Sequence, residues 1–328
     1  MHPFTHRRAE TVAALGETGL IAGIRRWLGA ASPRAPYGIG DDCAVLPTAR
    51  GKQLITVDSV IFGVHFDEAV TPRAAGAKLL KRNLSDIAAM GGTPRAAVVA
   101  LALDPRVKTK WLEEFYRGLA AVSREYRTPI VGGDVARLDG AAMASLTLVG
   151  EAPARVITRS GARAGDWIFV TGRLGGSLAS GHHWKFTPRL VEGAWLAGRP
   201  EVRAMMDVSD GLGKDLIALT PPGAEAALDA AALPCRPGSD LAAALGDGED
   251  YELLVAVAGH TKPAAFLKTW RRAFSRTRLS CIGRFVKLSR RPEGTLDLNS
   301  YRGYEHLRGG NGHEKHERAQ KVNPGRRS

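Results

Sequence analysis

The segment TPRAAGAKLLKRNLSDIAAMGG, residues 71–92, constrains the fold more than any other part of this chain. Thr71 is a good helix cap, proline follows at the first helical position, and Gly91-Gly92 supplies a stop. The spacing therefore predicts a long helix with both ends marked. Directly after it, AAVVALALD reads as a buried strand, and KWLEEFYRGLAAVSREY (110–126) as an amphipathic helix. QLITVDSVI (53–61) alternates as a strand, with Leu54, Thr56, Asp58 and Val60 on one face, behind an opening helix over residues 11–29. PIVGGD and AAMASLTLVGEA are further strands. Strands alternating with helices in this way build a layered α/β or α+β domain.

Turn residues and a fresh strand in GARAGDWIFVTG (161–172) place a boundary near 151–160. Beyond it the sequence predicts helices near 176–182 and 188–197, a strand at AMMDVS and a helix from Leu212. A strand at YELLVAVAG, a helix over 262–274 and a strand at RLSCIGRFV complete the second half. The expected organisation is two domains, 1–152 and 153–308, each of ordinary size. Residues 309–328 mix both charge signs without apolar periodicity and are expected to be a basic, disordered tail.

The net charge is +13. Part of the excess sits in that tail, and the basic residues form no single stripe, which disfavours nucleic acid and leaves a phosphorylated small substrate as the functional reading. Cys43, Cys235 and Cys281 are scattered without a CxxC spacing, so neither a zinc site nor a disulfide framework is indicated and a reducing cytoplasm fits. The N-terminus has positive charge but no following apolar stretch, unlike a secretory signal. The longest apolar run, AAVVALAL, is far short of the ~20 residues of a membrane helix.

Acidic residues recur beside glycine, at a strand end, or inside an apolar helix. They are Asp41 and Asp42 in GIGDD, Asp58 in TVDSV, Asp86 in NLSDIAAM, Asp134 in VGGD, Asp207 and Asp210 in MMDVSDG, and Asp247, Glu249 and Asp250 in GDGEDYE. Asp210 is equally suited to cap the helix at Leu212, and Asp58 to be an exposed strand residue. Asp86 sits where a solvated face is narrow, with Asn83 one turn earlier on the same face. An unpaired carboxylate near low dielectric needs a partner. Oxygen-rich sites at glycine turns suit Mg²⁺, which takes a few carboxylates and completes its shell with water and substrate phosphate. Together the motifs indicate a multi-metal phosphate site. No G-x-x-x-x-G-K-[ST] loop, protein-kinase signature, G-x-G-x-x-G, H-E-x-x-H or G-x-S-x-G occurs. GLGKD reads as a helix start, and His182-His183 as surface residues.

In order, GIGDDCAVL, TVDSVIFGVHF, KRNLSDIAAMGG, VGGDVAR, VITRSGARAGDWIFVTG, MMDVSDGLGKDL and GEDYELL closely resemble the thiamine-monophosphate kinase family, over roughly residues 15–308. That family belongs to the aminoimidazole ribonucleotide synthetase-like superfamily. The resemblance implies a two-domain fold whose N-terminal sheets pair in a homodimer. It also implies ATP bound through aspartate-held metals, and phosphorylation of thiamine phosphate to thiamine diphosphate. By motif it makes Asp42, Asp58, Asp86, Asp134, Asp207 and Asp210 the Mg²⁺ ligands, with Thr56 adding an oxygen. Gly133, Asp134, Arg159 and Ser209 correspond to ATP contacts, and His65, Glu249 and Tyr304 to thiamine-phosphate contacts. The chain departs from the family in having Val57 before Asp58 where threonine is usual, Asp247 where glycine is usual, a short connection between VTGRLGGS and FTPRL, and the basic tail. Two alternatives stand beside this reading: a sibling ATP enzyme with another acceptor, and a non-catalytic binder of thiamine phosphate or nucleotide.

Overall fold

The computed structural model describes residues 1–34, 37–39, 46, 51–290, 296–301 and 303–304. Asp41, Asp42, Cys43 and the tail from residue 309 lie outside the described residues. The chain divides into two compact units: Met1–Leu84 with Pro94–Glu151, and Ser85–Thr93 with Ala152–Arg308.

The first unit opens with α1 (Val12–Leu28), interrupted at Gly16, whose φ of 64° leaves the helical region. It continues through β1 (Gln53–Ile61), α2 (Pro72–Ala89), β2 (Thr93–Leu103), α3 (Thr109–Glu125), β3 (Ile130–Arg137) and β4 (Ala142–Glu151). The marked helix therefore forms as its ends predict, and its last residues, from Ser85, belong to the second unit. The strands make a sheet in the order β1-β4-β2-β3, with β1 antiparallel to β4 and β2 parallel to β3. Alternation buries one face: Val60, Leu101, Leu103 and Ala144 meet Trp111, Leu112 and Phe115 of α3. Gly76 and Gly118 let α2 and α3 touch main chain to main chain. A Cβ at Gly76 would stand 1.9 Å from the Phe115 carbonyl, and one at Gly118 1.8 Å from that of Arg73. The opposite face stays open at Ile55, Val57 and Val98, which are 74%, 61% and 38% exposed.

The second unit contains β5 (Trp167–Thr171), α4 (His182–Lys185), α5 (Leu190–Ala197), β6 (Val202–Asp207) and α6 (Leu212–Leu219). It continues with β7 (Ala224–Leu228), α7 (Leu241–Gly246), β8 (Leu253–Val257), α8 (Pro263–Ala273) and β9 (Leu279–Lys287). Its sheet is antiparallel, in the order β6-β8-β5-β9-β7. Both faces are covered, so β8 is buried at every residue. Ile168, Val170, Leu254 and Ala256 pack with Leu212 and Leu216 of α6, while Phe169, Val255 and Val257 pack with Phe266 and Trp270 of α8.

Three expectations need correction. The helix expected near 176–182 is a run of turns, and the helix itself is the four-residue α4. Gly175, Gly176 and Gly181 all adopt positive φ, which breaks a helical path there. β7 and α7 were not anticipated. β7 is AEAAL, without β-branched residues, and it forms because β9 offers it a partner edge. His182 and His183 are not surface residues: His183 is 6% exposed, and the His182 ring is half-buried with Nε2 3.0 Å from the Asp250 carbonyl.

Candidate active site

In the first unit, the predicted residues lie along the two edge strands. Asp58 on β1 stands opposite Leu146, on the helix-covered side, and its Oδ1 pairs with Arg82 of α2 at 2.9 Å. Arg82 also donates to the Ser59 carbonyl at 2.6 Å. Thr56 is half-buried on the same face as Asp58, whereas Val57 points to the open face. The valine therefore replaces a hydroxyl that would have faced away from Asp58. Asp134 sits on β3, opposite Ala100 of β2, and is exposed. β1 and β3 are opposite edges of one sheet, so Asp58 and Asp134 of a single chain are three strand spacings apart, about 14 Å. The family resemblance assigns both to a multi-metal site, and within one sheet they stand on its opposite edges.

Gly133 owes its place to close strand approach, since a Cβ there would meet the Val99 carbonyl at 2.1 Å. Beside it opens a cavity of about 590 Å³, lined by Glu17, Ile21 and Ile24 of α1, Tyr116 of α3, and the β3 residues Gly132 to Val135. Burial pushes the Tyr116 hydroxyl pKa well up, so it stays protonated. Tyr116 and Glu17 do not stand out in the sequence. Their only signal is helical spacing, which also marks ordinary core and surface residues. His65 is folded into the turn after β1: its Nδ1 accepts from the Ile61 N–H at 3.1 Å, and buried Lys78 donates to its carbonyl at 2.7 Å.

The second unit draws its predicted residues together. β6 ends on Asp207, which is buried and accepts from the Ser85 hydroxyl at 2.6 Å, next in chain to Asp86 on α2. The chain then turns through Val208-Ser209-Asp210 into α6. Asp210 does not cap that helix; its carboxylate pairs with Lys214 at 2.7 Å. The Ser209 and Asp210 N–H groups instead donate to Asp215, each at 3.0 Å. Burial, and then the charge of Asp207, raise the Asp215 carboxyl to about 7. Two distant segments clamp onto this turn. Glu249 N–H donates to the Ser209 carbonyl at 2.7 Å, and Tyr251 N–H to that of Val208 at 2.8 Å. Tyr304 N–H donates to the Asp210 carbonyl at 2.9 Å, and Lys214 reaches the Tyr304 carbonyl at 2.6 Å. Arg159 is exposed and follows Thr158, whose carbonyl accepts from Met205 of β6 at 3.2 Å.

Glu249 and Tyr251 both hold positive φ, 66° and 51°, the kind of backbone strain that concentrates at functional loops. The loop is anchored beneath by two buried acids. Asp250 pairs with Arg236 at 2.9 Å, and Glu252 takes two hydrogen bonds from Arg189, at 2.8 and 2.6 Å. The donor set at the predicted metal positions is all oxygen, which suits a hard cation. Among the described residues, however, no three acidic, histidine or cysteine side chains cluster closely enough to hold a metal by themselves.

Residues 40–152 match the model of the family "AIR synthase related protein, N-terminal domain". The fold and this match define the class, an AIR synthase-like fold whose N-terminal part is an AIR synthase-related domain. The thiamine-monophosphate kinase of Synechococcus elongatus is 35% identical over 279 residues, covering 76% of this chain and 84% of that protein. The crystal structure of thiamine-monophosphate kinase from Stenotrophomonas maltophilia K279a superposes with a TM-score of 0.69 at 29% identity, over 81% of this chain and 93% of that one. AaThiL complexed with AMPPCP and TMP superposes with a TM-score of 0.63 at 29% identity, over 87% and 94%. The chain belongs to the thiamine-monophosphate kinase family.

Proposed function

We propose that this protein transfers the γ-phosphoryl group of ATP to thiamine phosphate, giving thiamine diphosphate and ADP. The observation that carries the reading is the convergence in the second unit: Glu249 and Tyr304, far apart in sequence, are tied by main-chain hydrogen bonds to Ser209 and Asp210. A carboxylate and a tyrosine next to phosphate-handling groups fit an acceptor with a cationic heterocycle. The base of ATP fits the cavity beside Gly133 and Asp134, where Ile21, Ile24 and Tyr116 give apolar walls and the edge of β3 offers main-chain polar groups.

The attacking atom is a phosphate oxygen of thiamine phosphate. It is already anionic, so no general base is needed. A P–O bond forms to it as the bond to the β-phosphate oxygen breaks, and ADP carries the electron pair away. The task left to the protein is to hold two anions in line. Asp42, Asp58, Asp86, Asp134, Asp207 and Asp210, with Thr56, would hold Mg²⁺, which when bound neutralises the phosphates and the transferring group. Arg159 and Ser209 add hydrogen bonds to phosphate oxygens. In the protein alone, Arg82 and Lys214 balance the charge of Asp58 and Asp210.

The working form is a homodimer. The open face of the first sheet presents Ile55, Val57 and Val98 to solvent, and a second copy of the same face is the natural cover. With the two-fold axis along the strands, the β3 edge of one copy would run along the β1 edge of the other. An active site at such a shared edge would draw Asp58 from one copy and Asp134 from the other. We place the reaction in the cytoplasm, which the scattered cysteines favour; among the described residues no helix is long and apolar enough to cross a membrane.

Measuring ADP release with thiamine phosphate and a panel of phosphorylated heterocycles tests the reading. Thiamine phosphate is expected to be the preferred acceptor, and Asp86→Asn to lower turnover on the order of a hundredfold or more in a folded protein. Turnover with another acceptor alone, or none with any, would overturn it. Labelled phosphate retained on the protein would rule out direct transfer.

A further inference from the structure

The connection between β5 and α5, short beside the usual pattern of the family the sequence resembles, lies directly on the Glu249 loop. Polar contacts join them, beside that of His182 with the Asp250 carbonyl. Gly175 N–H donates to Asp250 at 2.9 Å, and Gly176 N–H to Asp247 at 2.8 Å. The Ser177 hydroxyl donates to the Gly248 carbonyl. Finally, His183 Nδ1 stands 3.4 Å from Glu249 Oε2. Asp247, the acid found where the family has glycine, is thus one of the groups that receives the shortened connection. The stack of Phe186 on Tyr251, with ring centroids 4.1 Å apart, closes the same segment over the loop.

His183 is placed to direct one side chain. It is 6% exposed, its own N–H is held by the Ser177 carbonyl at 3.2 Å, and its ring meets the carboxylate of a residue in strained backbone. The other carboxylate oxygen of Glu249 lies 3.5 Å from the Tyr251 hydroxyl. A buried ring on one oxygen and a phenol on the other restrict the rotation of Glu249 about its terminal bond.

We propose that His183 is a positioning residue that sets the orientation of the Glu249 carboxylate toward the heterocycle of thiamine phosphate. This rests on the reading of Glu249 as a substrate contact. The shortened connection then has a task of its own, in that its buried histidine holds the acceptor-binding group from behind. Binding of the acceptor depends on that contact, while binding of ATP and the chemical step do not.

Steady-state kinetics of the full chain test this. His183→Phe fills the site without an N–H, and is expected to raise KM for thiamine phosphate about tenfold, leaving kcat and KM for ATP within about twofold. His183→Asn, whose amide nitrogen reproduces the place of Nδ1, is expected to recover KM to within about threefold. In a Glu249→Gln background the His183→Phe effect should vanish, because the two residues act as one unit. Where the phenylalanine variant does not fold, His183→Leu carries the same comparison. If Glu249→Gln leaves KM for thiamine phosphate unchanged, the substrate-contact reading falls and takes the proposal with it. If Glu249→Gln raises KM but His183→Phe does not, or His183→Asn fails to recover it, or kcat and KM for ATP change in step, the proposal alone is overturned.

Discussion

Asp104 and Asp250 are both buried carboxylates beside an arginine, and they respond to pH in opposite senses. Arg106 forks onto Asp104 with bonds of 2.9 and 2.7 Å, and this, against the cost of burial, holds the Asp104 carboxyl well below its ordinary 3.8. The unfolded chain therefore binds the proton more readily. The stabilisation from Asp104 is complete at neutral pH and lost as pH falls below about 4. Burial pushes Asp250 up to about 7 in spite of Arg236. The native state then holds the proton more tightly, so stability from this group is present below pH 4 and lost as pH rises toward 7. Thermal melting from pH 3 to pH 8 should show the penalty of Asp104→Asn shrinking below pH 4. The melting point of Asp250→Asn relative to the parent should climb between pH 4 and 7 and then level off. Asp250 stands out in the sequence because it follows a glycine turn and precedes an apolar run, whereas Asp104, at the end of a buried strand, carries no such mark. That Asp250 meets Arg236 does not stand out, because the two lie 14 residues apart with α7 between them, whereas Arg106 is a near neighbour of Asp104 in the chain.

At the scale of elements, the junction of β5, β8 and α5 bears the Glu249 loop. Glu252 is 2% exposed and is satisfied by Arg189 and by the Thr171 hydroxyl at 2.7 Å. Arg189→Leu would leave that carboxylate buried without its cation, and should cost about 3–5 kcal/mol in urea unfolding. A loss below about 1 kcal/mol would show that the loop is held by its main-chain bonds alone. Elements with strong periodicity or marked ends, such as α2, α3 and β1, were legible in the sequence. The weak ones were not: α4 lasts barely one turn after a run of left-handed glycines, and β7 is a strand only because β9 pairs with it. The buried role of His183 was hidden for the same reason, since a one-turn helix has no face to read.

At the scale of the molecule, the proposed homodimer would have active sites shared between its copies, each drawing Asp58 from one and Asp134 from the other. Each of the variants Asp58→Asn and Asp134→Asn should be nearly inactive alone. When the two are unfolded together and refolded in equal amounts, half the dimers are mixed, and each of these has one intact site. Activity should then return to about one quarter of the parent value. No recovery would mean that both aspartates act within one chain.

By itself the sequence determined the marked helix, the alternation of strands and helices, and the ordered set of acid-bearing motifs that identifies the family. Each of these is written in local spacing, in caps, stops and periods that need no partner. Only the tertiary structure decided which acids meet. It drew Glu249 and Tyr304 onto the turn at Ser209-Asp210, turned Val57 away from Asp58, set Asp58 and Asp134 on opposite edges, and seated His183 behind Glu249. Those arrangements depend on strand order and loop closure, which link residues far apart along the chain and leave no periodic trace in it.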